Sequence, residues 1–204
     1  MKYVVALFTV FLLSDIVNVH AADKFKLKFN LANLDGKKGE KGSFIMEIHP
    51  DWAPLGAERV KEMVADNFFK GIRFFRVING FMAQFGIHGN PQKAAVWREK
   101  RMTDDPVKES NTRGMVSFAT SGPNSRTTQM FINFGNNANL DGMGFAPFGK
   151  VIDGMDIVDR IFMIGEKPQQ GRIQSEGNRY LKTQFPQLTY IESFEEMNNV
   201  EADL

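Results

Sequence analysis

A segment near the middle of the chain places an arginine and a glutamine among large apolar side chains. It runs from Phe74 to Gly86, and its polar groups are the guanidinium of Arg76 and the carboxamide of Gln84. If two strands meet at a turn at Asn79-Gly80, both groups can lie over one apolar surface, because side chains two residues apart share a face. Such a surface would bind a substrate by shape and a few fixed hydrogen bonds. The same pattern also fits a core strand pair whose arginine meets a carboxylate at the rim.

The composition leaves most catalytic chemistry without its usual side chains. The 204 residues include no cysteine and three histidines, which excludes disulfide frameworks, thiolate zinc sites and cysteine nucleophiles. His49 and His88 are isolated from each other, and no glycine motif for a phosphate or a dinucleotide is present. The formal net charge is +1, which disfavours binding to nucleic acid or to an anionic membrane. We therefore expect neither a metal nor a cofactor.

The first residues have the pattern of a secretory signal peptide. Lys2 supplies a positive charge, an apolar run follows from Val4 to Leu13, and small residues precede a cleavage site after Ala21. The run is about half as long as the roughly 20 residues that a membrane span needs, so we expect no stable membrane insertion after cleavage. A buried first strand is the alternative. We expect residues 1–21 to direct the protein into the secretory pathway, to a periplasm, an endoplasmic reticulum lumen or the cell exterior.

The elements that must position the polar groups belong to one domain, residues 22–204, with a β-rich core. Alternating apolar residues predict a hairpin over residues 24–49. Pro54 begins a helix that ends near Asn67, and a second, shorter helix follows Gly154. Short apolar runs separated by Gly, Pro, Asn and Asp predict the other strands. These runs lie at residues 74–78, 81–85, 115–119, 130–134 and 145–152, with a returning strand at 185–191 and an acidic tail at 195–204.

Several of these segments resemble the cyclophilin family of peptidyl-prolyl cis-trans isomerases. The most specific is the block Phe-x-Arg-Val-Ile-x-Gly-Phe-Met-x-Gln at residues 74–84; residues 118–132, Leu140-Asp141-Gly142 and residues 148–151 follow in the same order. The match extends from about Phe44 to Phe162. The resemblance implies a mainly β fold, a closed eight-stranded antiparallel barrel capped by two α-helices. It also implies that the substrates are proline-containing peptides and folding client proteins.

The resemblance implies a set of site residues by matching position. Arg76 corresponds to the catalytic arginine, and Gln84 to the residue that holds the substrate backbone near it. The remaining positions form an apolar wall around the proline, a backbone ledge beside the extended peptide and a polar wall. They are Phe81, Met82, Phe131, Leu140 and Phe145 for the apolar wall, Ala119, Thr120 and Ser121 for the ledge, and Gln129 for the polar wall.

Three features depart from the family pattern. Asn139 stands where many cyclophilins have Trp, and Phe145 stands where many have His, in a loop that is one residue longer. Neither position is the catalytic group, so the resemblance still implies isomerase activity, whereas cyclosporin binding loses the contact that the Trp supports. Residues 87–112 also differ from the family, and we expect them to form a surface excursion with a partner surface.

The implied reaction suits a site without cysteine, metal or titrating histidine. Rotation about an X–Pro bond crosses a barrier of about 18–20 kcal/mol and transfers no proton, electron or group. In the twisted transition state the prolyl nitrogen regains its lone pair, so a donor aimed at it stabilises that state selectively. Arginine suits this role because it stays charged and offers several donors in a rigid plane.

Two other functions remain open for the same fold. One is a proline-peptide binding or scaffold module with little turnover, and the other is a carrier for small hydrophobic ligands. Neither function requires the arginine, so its presence favours the isomerase. We expect the protein to act as a monomer.

Overall fold

The computed structural model describes residues 23–197, in which eight antiparallel strands form one sheet with helices packed around it. The strands are β1 (Phe25–Ala32), β2 (Lys41–Ile48), β3 (Arg76–Ile78), β4 (Met82–Phe85), β5 (Met115–Phe118), β6 (Met130–Asn133), β7 (Pro147–Asp153) and β8 (Tyr190–Met197). The helices are α1 (Pro54–Ala65), α2 (Pro91–Glu99), α3 (Met155–Asp159), α4 (Gln170–Glu176) and α5 (Asn178–Gln184). The strand order is β3-β4-β6-β5-β7-β2-β1-β8. The predicted signal peptide, residues 1–21, and residues 198–204 lie outside the described residues.

The predicted first hairpin is confirmed, and its alternation determines which face is buried. Phe25, Leu27 and Phe29 of β1 are buried, whereas the lysines between them are only partly covered. Phe29 lies opposite Phe44 of β2, and their rings stack with centroids 5.1 Å apart. Because burying a phenylalanine contributes about 1.5–3 kcal/mol, this pair anchors the two strands to the core.

The sheet curls, but its edge strands β3 and β8 do not pair as a ladder within the described residues. The chain near the start of each strand makes a few contacts instead. The Phe74 amide donates to the Thr189 carbonyl at 3.0 Å, and Arg73 and Tyr190 form one isolated bridge. The eight antiparallel strands are therefore confirmed, whereas the closed barrel is not. With three residues, β3 is too short to carry a continuous ladder to β8.

Both predicted helices are present, although the second is shorter than predicted. Helix α1 begins at Pro54, as predicted, and buries Val60 and Met63 against the core. After Gly154, only the five-residue α3 forms. No helix among residues 23–197 is both long enough and apolar enough to cross a membrane.

Three further helices in the described residues were not predicted. The side chain of Asn90 caps α2 by accepting hydrogen bonds from the Gln92 and Lys93 amides. The helix buries only Ala94 and Trp97, so its apolar periodicity is too weak to be recognised in the sequence. Helices α4 and α5 follow each other closely near the end of the chain, and α4 packs against α2.

The last strand begins later than predicted. Residues 185–189, which the apolar run assigned to a strand, lie outside β8. Glu195 and Glu196, which were assigned to an acidic tail, lie inside it. The neighbouring strand β1 explains this difference, because Glu195 lies opposite Lys28 and their charged groups are 3.6 Å apart. A lysine-rich neighbour thus allows the acidic residues to continue the sheet.

Apolar side chains collect in two separate clusters. The larger one packs the sheet against the helices. The smaller one combines residues of β3, β4 and β6 with residues of three loops. Its buried members are Met82, Phe131 and Leu140, and its partly buried members are Ile78, Phe81, Ala119 and Phe145. The smaller cluster therefore brings residues of the segment 74–86 together with residues of the segment 118–132.

Candidate active site

The β3–β4 hairpin places the arginine and the glutamine side by side. Arg76 lies opposite Gln84, and Ile78 lies opposite Met82. The connecting loop includes Gly80, whose φ of 68° is in the left-handed region that glycine adopts without strain. Arg76 Nη1 lies 3.4 Å from Gln84 Oε1. The prediction that both polar groups share one face is confirmed.

The opposite edge of the Arg76 guanidinium is held by a carboxylate that was not predicted by name. Arg76 Nε and Nη2 each lie 2.6 Å from Glu166 Oε1. This contact matches the alternative in which the arginine meets a carboxylate at the rim, but it coexists with the pocket. Because the Glu166 side chain is 65% exposed, the ion pair contributes at most about 1 kcal/mol to stability. Its effect is to orient the guanidinium and leave Nη1 facing Gln84 and Met82.

The loop before Glu166 is attached directly to β3. Val77 and Gly165 exchange two backbone hydrogen bonds, of 3.1 Å and 2.9 Å. Residues 165 and 166 therefore stand beside residues 77 and 76. No local pattern in the sequence indicates this contact, because 90 residues separate Arg76 from Glu166.

A second glutamine continues the polar row that begins at Arg76. Gln84 Nε2 donates to Gln129 Oε1 at 2.9 Å. The carbonyl of Gln129 accepts from the amide of Ala119 at 2.9 Å, which connects the row to the polar loop after β5. Gln84 is 7% exposed, and a buried carboxamide with both ends bonded has a fixed orientation. The row therefore presents directed hydrogen-bonding groups along one side of the cluster.

The polar row borders a small pocket, which we call the apolar pocket. Its volume is about 160 Å³, enough for about five water molecules or one small side chain. Arg76 is its one ionisable lining residue. The lining residues are Arg76, Phe81, Met82, Gln84, Ala119, Thr120, Phe131, Leu140 and Phe145. The structure thus brings together all the predicted site residues except Ser121 and Gln129, which line an adjoining cavity.

Aromatic rings form two walls of the apolar pocket. Phe131 and Phe145 meet edge to face with centroids 5.7 Å apart. The Arg76 guanidinium lies 5.9 Å from the centroid of Phe81, a distance at which the ring face attracts a cation. The prediction that Phe145 closes the pocket by apolar contact agrees with its position.

The loop that carries Leu140 and Phe145 is fixed by residues that sequence reasoning missed. The carboxylate of Asp141 accepts hydrogen bonds from the Ser110 hydroxyl at 2.5 Å and from the Asn111 backbone and side chain at 2.9 Å and 2.8 Å. The Asn111 side chain also donates to the Phe145 carbonyl at 2.8 Å. Burial opposes ionisation, but the hydrogen bonds from Ser110 and Asn111 outweigh it and hold the pKa of Asp141 below its ordinary value. Part of residues 87–112 therefore supports the pocket.

A buried arginine supports Phe145 from the other side. Arg126 is 5% exposed, pairs with Asp104 and donates to the Gly144 carbonyl at 2.5 Å. Its guanidinium lies 5.9 Å from the centroid of Phe145. Because the Arg126 guanidinium is bonded both to the Asp104 carboxylate and to the Gly144 carbonyl, its charge is neutralised within the protein, and the side chain supports the loop.

The predicted ledge is ordered by one serine hydroxyl. Ser125 Oγ accepts from the Ser121 amide at 2.9 Å, lies 2.9 Å from Thr120 Oγ1 and donates to the Gly122 carbonyl at 2.7 Å. These bonds fix the loop after Ala119 without any regular structure. The loop therefore offers a rigid edge to a peptide lying beside the apolar pocket.

His49 and His88, the histidines among residues 23–197, lie outside the lining of the apolar pocket. His49 is buried and stacks on Trp52 with ring centroids 3.5 Å apart. Burial lowers the pKa of both His49 and His88. Among residues 23–197, no group of three or more histidine, cysteine, aspartate or glutamate side chains is arranged to hold a metal ion.

Comparison with known proteins gives the family of this chain. The family model for "Cyclophilin type peptidyl-prolyl cis-trans isomerase/CLD" matches residues 34–178. The chain belongs to this family. It is a cyclophilin-type peptidyl-prolyl cis-trans isomerase, and cyclophilins act on proline-containing peptides and proteins.

Individual relatives agree with this assignment. A peptidyl-prolyl cis-trans isomerase of Acinetobacter baylyi is 36% identical over 147 residues, which cover 67% of this chain and 70% of that protein. The peptidyl-prolyl cis-trans isomerase-like 3 of Homo sapiens is 34% identical over 125 residues, covering 59% of this chain and 76% of that protein. The crystal structure of a cyclophilin type isomerase of Cryptosporidium parvum has a TM-score of 0.59 and 19% identity, with coverage of 87% and 99% of the two chains. This last likeness concerns the fold alone.

Proposed function

We propose that Arg76 is the catalytic residue of this isomerase and that the apolar pocket holds the substrate proline. One observation carries the proposal: the guanidinium stands at the edge of the apolar pocket, with Glu166 on one side and Nη1 turned toward Gln84. A proline ring in the pocket brings its ring nitrogen to the same edge. Arg76 is then the ionisable donor nearest to the rotating bond.

The geometry suits a transition state in which the prolyl nitrogen becomes a hydrogen-bond acceptor, which it is not in the ground state. In the planar amide the prolyl nitrogen has no free lone pair, whereas in the twisted state it accepts a hydrogen bond. A guanidinium N–H aimed at this nitrogen therefore lowers the barrier without tightening the ground state. A rate gain of roughly 10⁵ needs a barrier lower by about 7 kcal/mol. The aromatic walls contribute by holding the ring still and excluding the water that stabilises the polar, planar amide.

The polar row and the ledge complete the proposed substrate site. Gln84 and Gln129 offer carboxamides bonded to each other, and they would hold the peptide backbone next to Arg76. The chain at Ala119, Thr120 and Ser121 lies along the same side and offers its backbone to an extended peptide. These residues fix the substrate on one side of the proline, so that the carbonyl on that side rotates while the ring stays in place.

The test is to measure cis–trans exchange in a short X–Pro peptide by NMR with the chain lacking residues 1–21. We expect Arg76→Ala to reduce kcat/KM at least about tenfold, the equivalent of one charge-assisted contact of about 1.4 kcal/mol. Arg160→Ala is the matched control, because Arg160 also holds a carboxylate through Nε and Nη2, that of Asp35. An unchanged rate in Arg76→Ala, with the fold intact, would rule out the arginine assignment.

The second candidate function is a binding or scaffold module that holds proline peptides with little turnover. Its support is the apolar pocket with its fixed polar row, which is sufficient for binding without catalysis. The same NMR experiment separates the two candidates. Peptide resonances that shift on binding while the exchange rate stays at its uncatalysed value would favour the module.

We also propose that the protein acts in a secretory or periplasmic compartment. The support is the charge and apolar pattern of residues 1–21, which ends at a cleavage site after Ala21. Expression of the full chain followed by N-terminal sequencing of the exported product tests this. A mature N-terminus at Ala22 is expected, and retention of Met1 on a protein that stays in the producing compartment would contradict the proposal.

A further inference from the structure

A second cavity adjoins the apolar pocket, and we call it the basic pocket. Its volume is about 380 Å³. The two cavities share Gln84, Ala119 and Thr120 as walls, so a peptide seated in one continues into the other. The remaining lining residues are Arg98, Arg101, Ser121, Ser125, Thr127, Gln129, Gln170 and Gln174.

The charge of this cavity comes from two arginines without carboxylate partners. No acidic residue lines the basic pocket. Arg98 Nη1 lies 3.3 Å from Gln174 Oε1, a neutral acceptor. The Arg101 side chain makes no hydrogen bond or ion pair with any residue of the described part of the chain. Arg76, the arginine of the apolar pocket, holds the carboxylate of Glu166, so the arginines of the two neighbouring pockets differ in this respect.

The elements around the basic pocket fix where these charges lie. Arg98 is on α2, which its capped first turn and the buried Trp97 hold against the protein. Arg101 comes directly before Met102, whose amide donates to the Arg126 carbonyl at 3.0 Å. On the opposite side, the bonds of Ser125 order the ledge. The cavity is therefore bounded by fixed backbone on both sides.

We propose that the basic pocket binds an acidic side chain of the substrate, an aspartate or glutamate a few residues from the proline. The inference rests on the proposed function, because it takes the apolar pocket as the place of the proline. A carboxylate in the basic pocket would meet two guanidinium groups, which offer planar donors suited to it. The glutamines and hydroxyls of the other walls can bond the rest of the side chain and its backbone.

Most exposed arginines on helices simply face solvent, and two features set this pair apart. Both arginines line a concave cavity rather than a convex surface, and that cavity is continuous with the apolar pocket. Both belong to residues 87–112, the segment that departs from the family pattern, so the selectivity would be a property of this chain rather than of the family.

The experiment compares peptides that differ in one side chain. A proline peptide with alanine at its flanking positions is varied by placing Glu, Gln or Lys at each position in turn on either side of the proline. We expect Glu to exceed its neutral isostere Gln in kcat/KM by about fivefold or more at one position, the effect of an ion pair of about 1 kcal/mol. Lys at that position should fall below Gln, and the preference should weaken as salt is raised.

Variants of the protein identify the source of the preference. The double variant Arg98→Gln/Arg101→Gln should remove the difference in kcat/KM between the Glu and Gln peptides. The matched control Arg113→Gln/Arg160→Gln lowers the net charge equally at exposed ion pairs elsewhere, and it should keep the preference. Because all four arginines are exposed or partly exposed, thermal unfolding should change little, and its measurement confirms that each variant is folded.

The possible outcomes separate this inference from the proposed function. Equal rates for Glu and Gln peptides at every position, with clear turnover of both, would overturn the inference alone. A Glu preference that persists in Arg98→Gln/Arg101→Gln would also overturn it. Absence of turnover with all peptides would instead contradict the proposed function on which it depends.

Discussion

The two faces of strands β4 and β6 carry similar apolar side chains, but one face packs the core and the other borders the apolar pocket. On one face, Phe85 and Ile132 are fully buried in the larger cluster. On the other face, Met82 and Phe131 form the smaller cluster around the apolar pocket. Because neighbouring residues of a strand point in opposite directions, a single step along β6 separates Ile132 in the larger cluster from Phe131 beside the apolar pocket.

The largest effect is expected when the core face is truncated. Phe85 is fully buried and its ring lies 4.7 Å from that of Phe74. Phe85→Ala should lower the free energy of unfolding by about 3–5 kcal/mol, since it removes apolar contacts and leaves a cavity. Urea unfolding followed by circular dichroism measures this. A loss below about 1 kcal/mol would show that the two faces do not differ as described.

The pocket face should respond in activity more than in stability. Phe131→Ala should reduce kcat/KM at least about tenfold, because the proline loses an apolar wall worth about 1.5–3 kcal/mol. Its free energy of unfolding should fall less than that of Phe85→Ala, since the smaller cluster is partly open to solvent. Phe131→Leu is the matched control and should retain more of the activity in the same NMR exchange assay. Equal losses of stability in Phe131→Ala and Phe85→Ala would remove the distinction between the faces.

A smaller effect is expected at Glu166, which belongs to neither strand and acts through Arg76. Glu166→Ala should reduce kcat by up to about fivefold, the effect of an exposed ion pair of at most about 1 kcal/mol. KM should change less, because the substrate walls remain in place. Glu166→Gln keeps an acceptor for Nε and should restore part of the rate.

A control on the other side of the molecule makes the Glu166 result specific. Glu40→Ala removes a carboxylate from the exposed Arg160 and should leave kcat unchanged. A rise in kcat on removal of Glu166 would contradict its role as a positioning residue, and would indicate that it competes with the substrate for the guanidinium.

The smallest effect is a pH dependence that affects the fold but not the pocket. Burial lowers the folded-state pKa of His49 and His88 below the ordinary value near 6.5. Below about pH 6.5 the unfolded chain therefore binds more protons at these histidines than the folded one. The free energy of unfolding should then decrease as the pH falls below this value, and should not depend on these histidines above it. Urea unfolding at pH 7.5, 6 and 5 should show the decrease, and His88→Asn should make it shallower. The activity per folded molecule should stay level over the same range, because neither His49 nor His88 lines the apolar pocket.

The sequence was sufficient to predict the parts of the fold in which apolar and polar residues alternate clearly, or in which Pro or Gly marks the boundary of an element. The first hairpin, the start of α1 at Pro54 and the facing of Arg76 and Gln84 all follow from local patterns. The start of β8 was predicted too early, because the apolar run at 185–189 does not enter the sheet. The acidic residues of β8 were placed outside it because their partner, lysine-rich β1, lies more than 160 residues away along the chain.

The site was predicted where a continuous motif carries it and missed where distant segments meet. Residues 74–84 contain Arg76, Phe81, Met82 and Gln84 in one block. Strand spacing brings Arg76, Met82 and Gln84 together, and the resemblance to the cyclophilin family adds Phe81. Glu166 comes from a loop without any motif and reaches Arg76 through the Val77–Gly165 bridge. Arg98 and Arg101 were assigned to a surface excursion over residues 87–112, because only the folded chain places them beside the ledge.

The turn at Asn79-Gly80 has a consequence for how this enzyme tolerates change. It sets Arg76 opposite Gln84, and both of its residues are exposed, with the Gly80 carbonyl lying close to Gly135. Adding or deleting one residue there would turn the face of β4 that lines the pocket toward the core, and would bury Gln84 among phenylalanines. Substitutions at Asn79 should be tolerated. A change in the length of this turn should lower both the stability of the fold and the isomerase activity. Natural variants should therefore differ in residue type at this turn but keep its length.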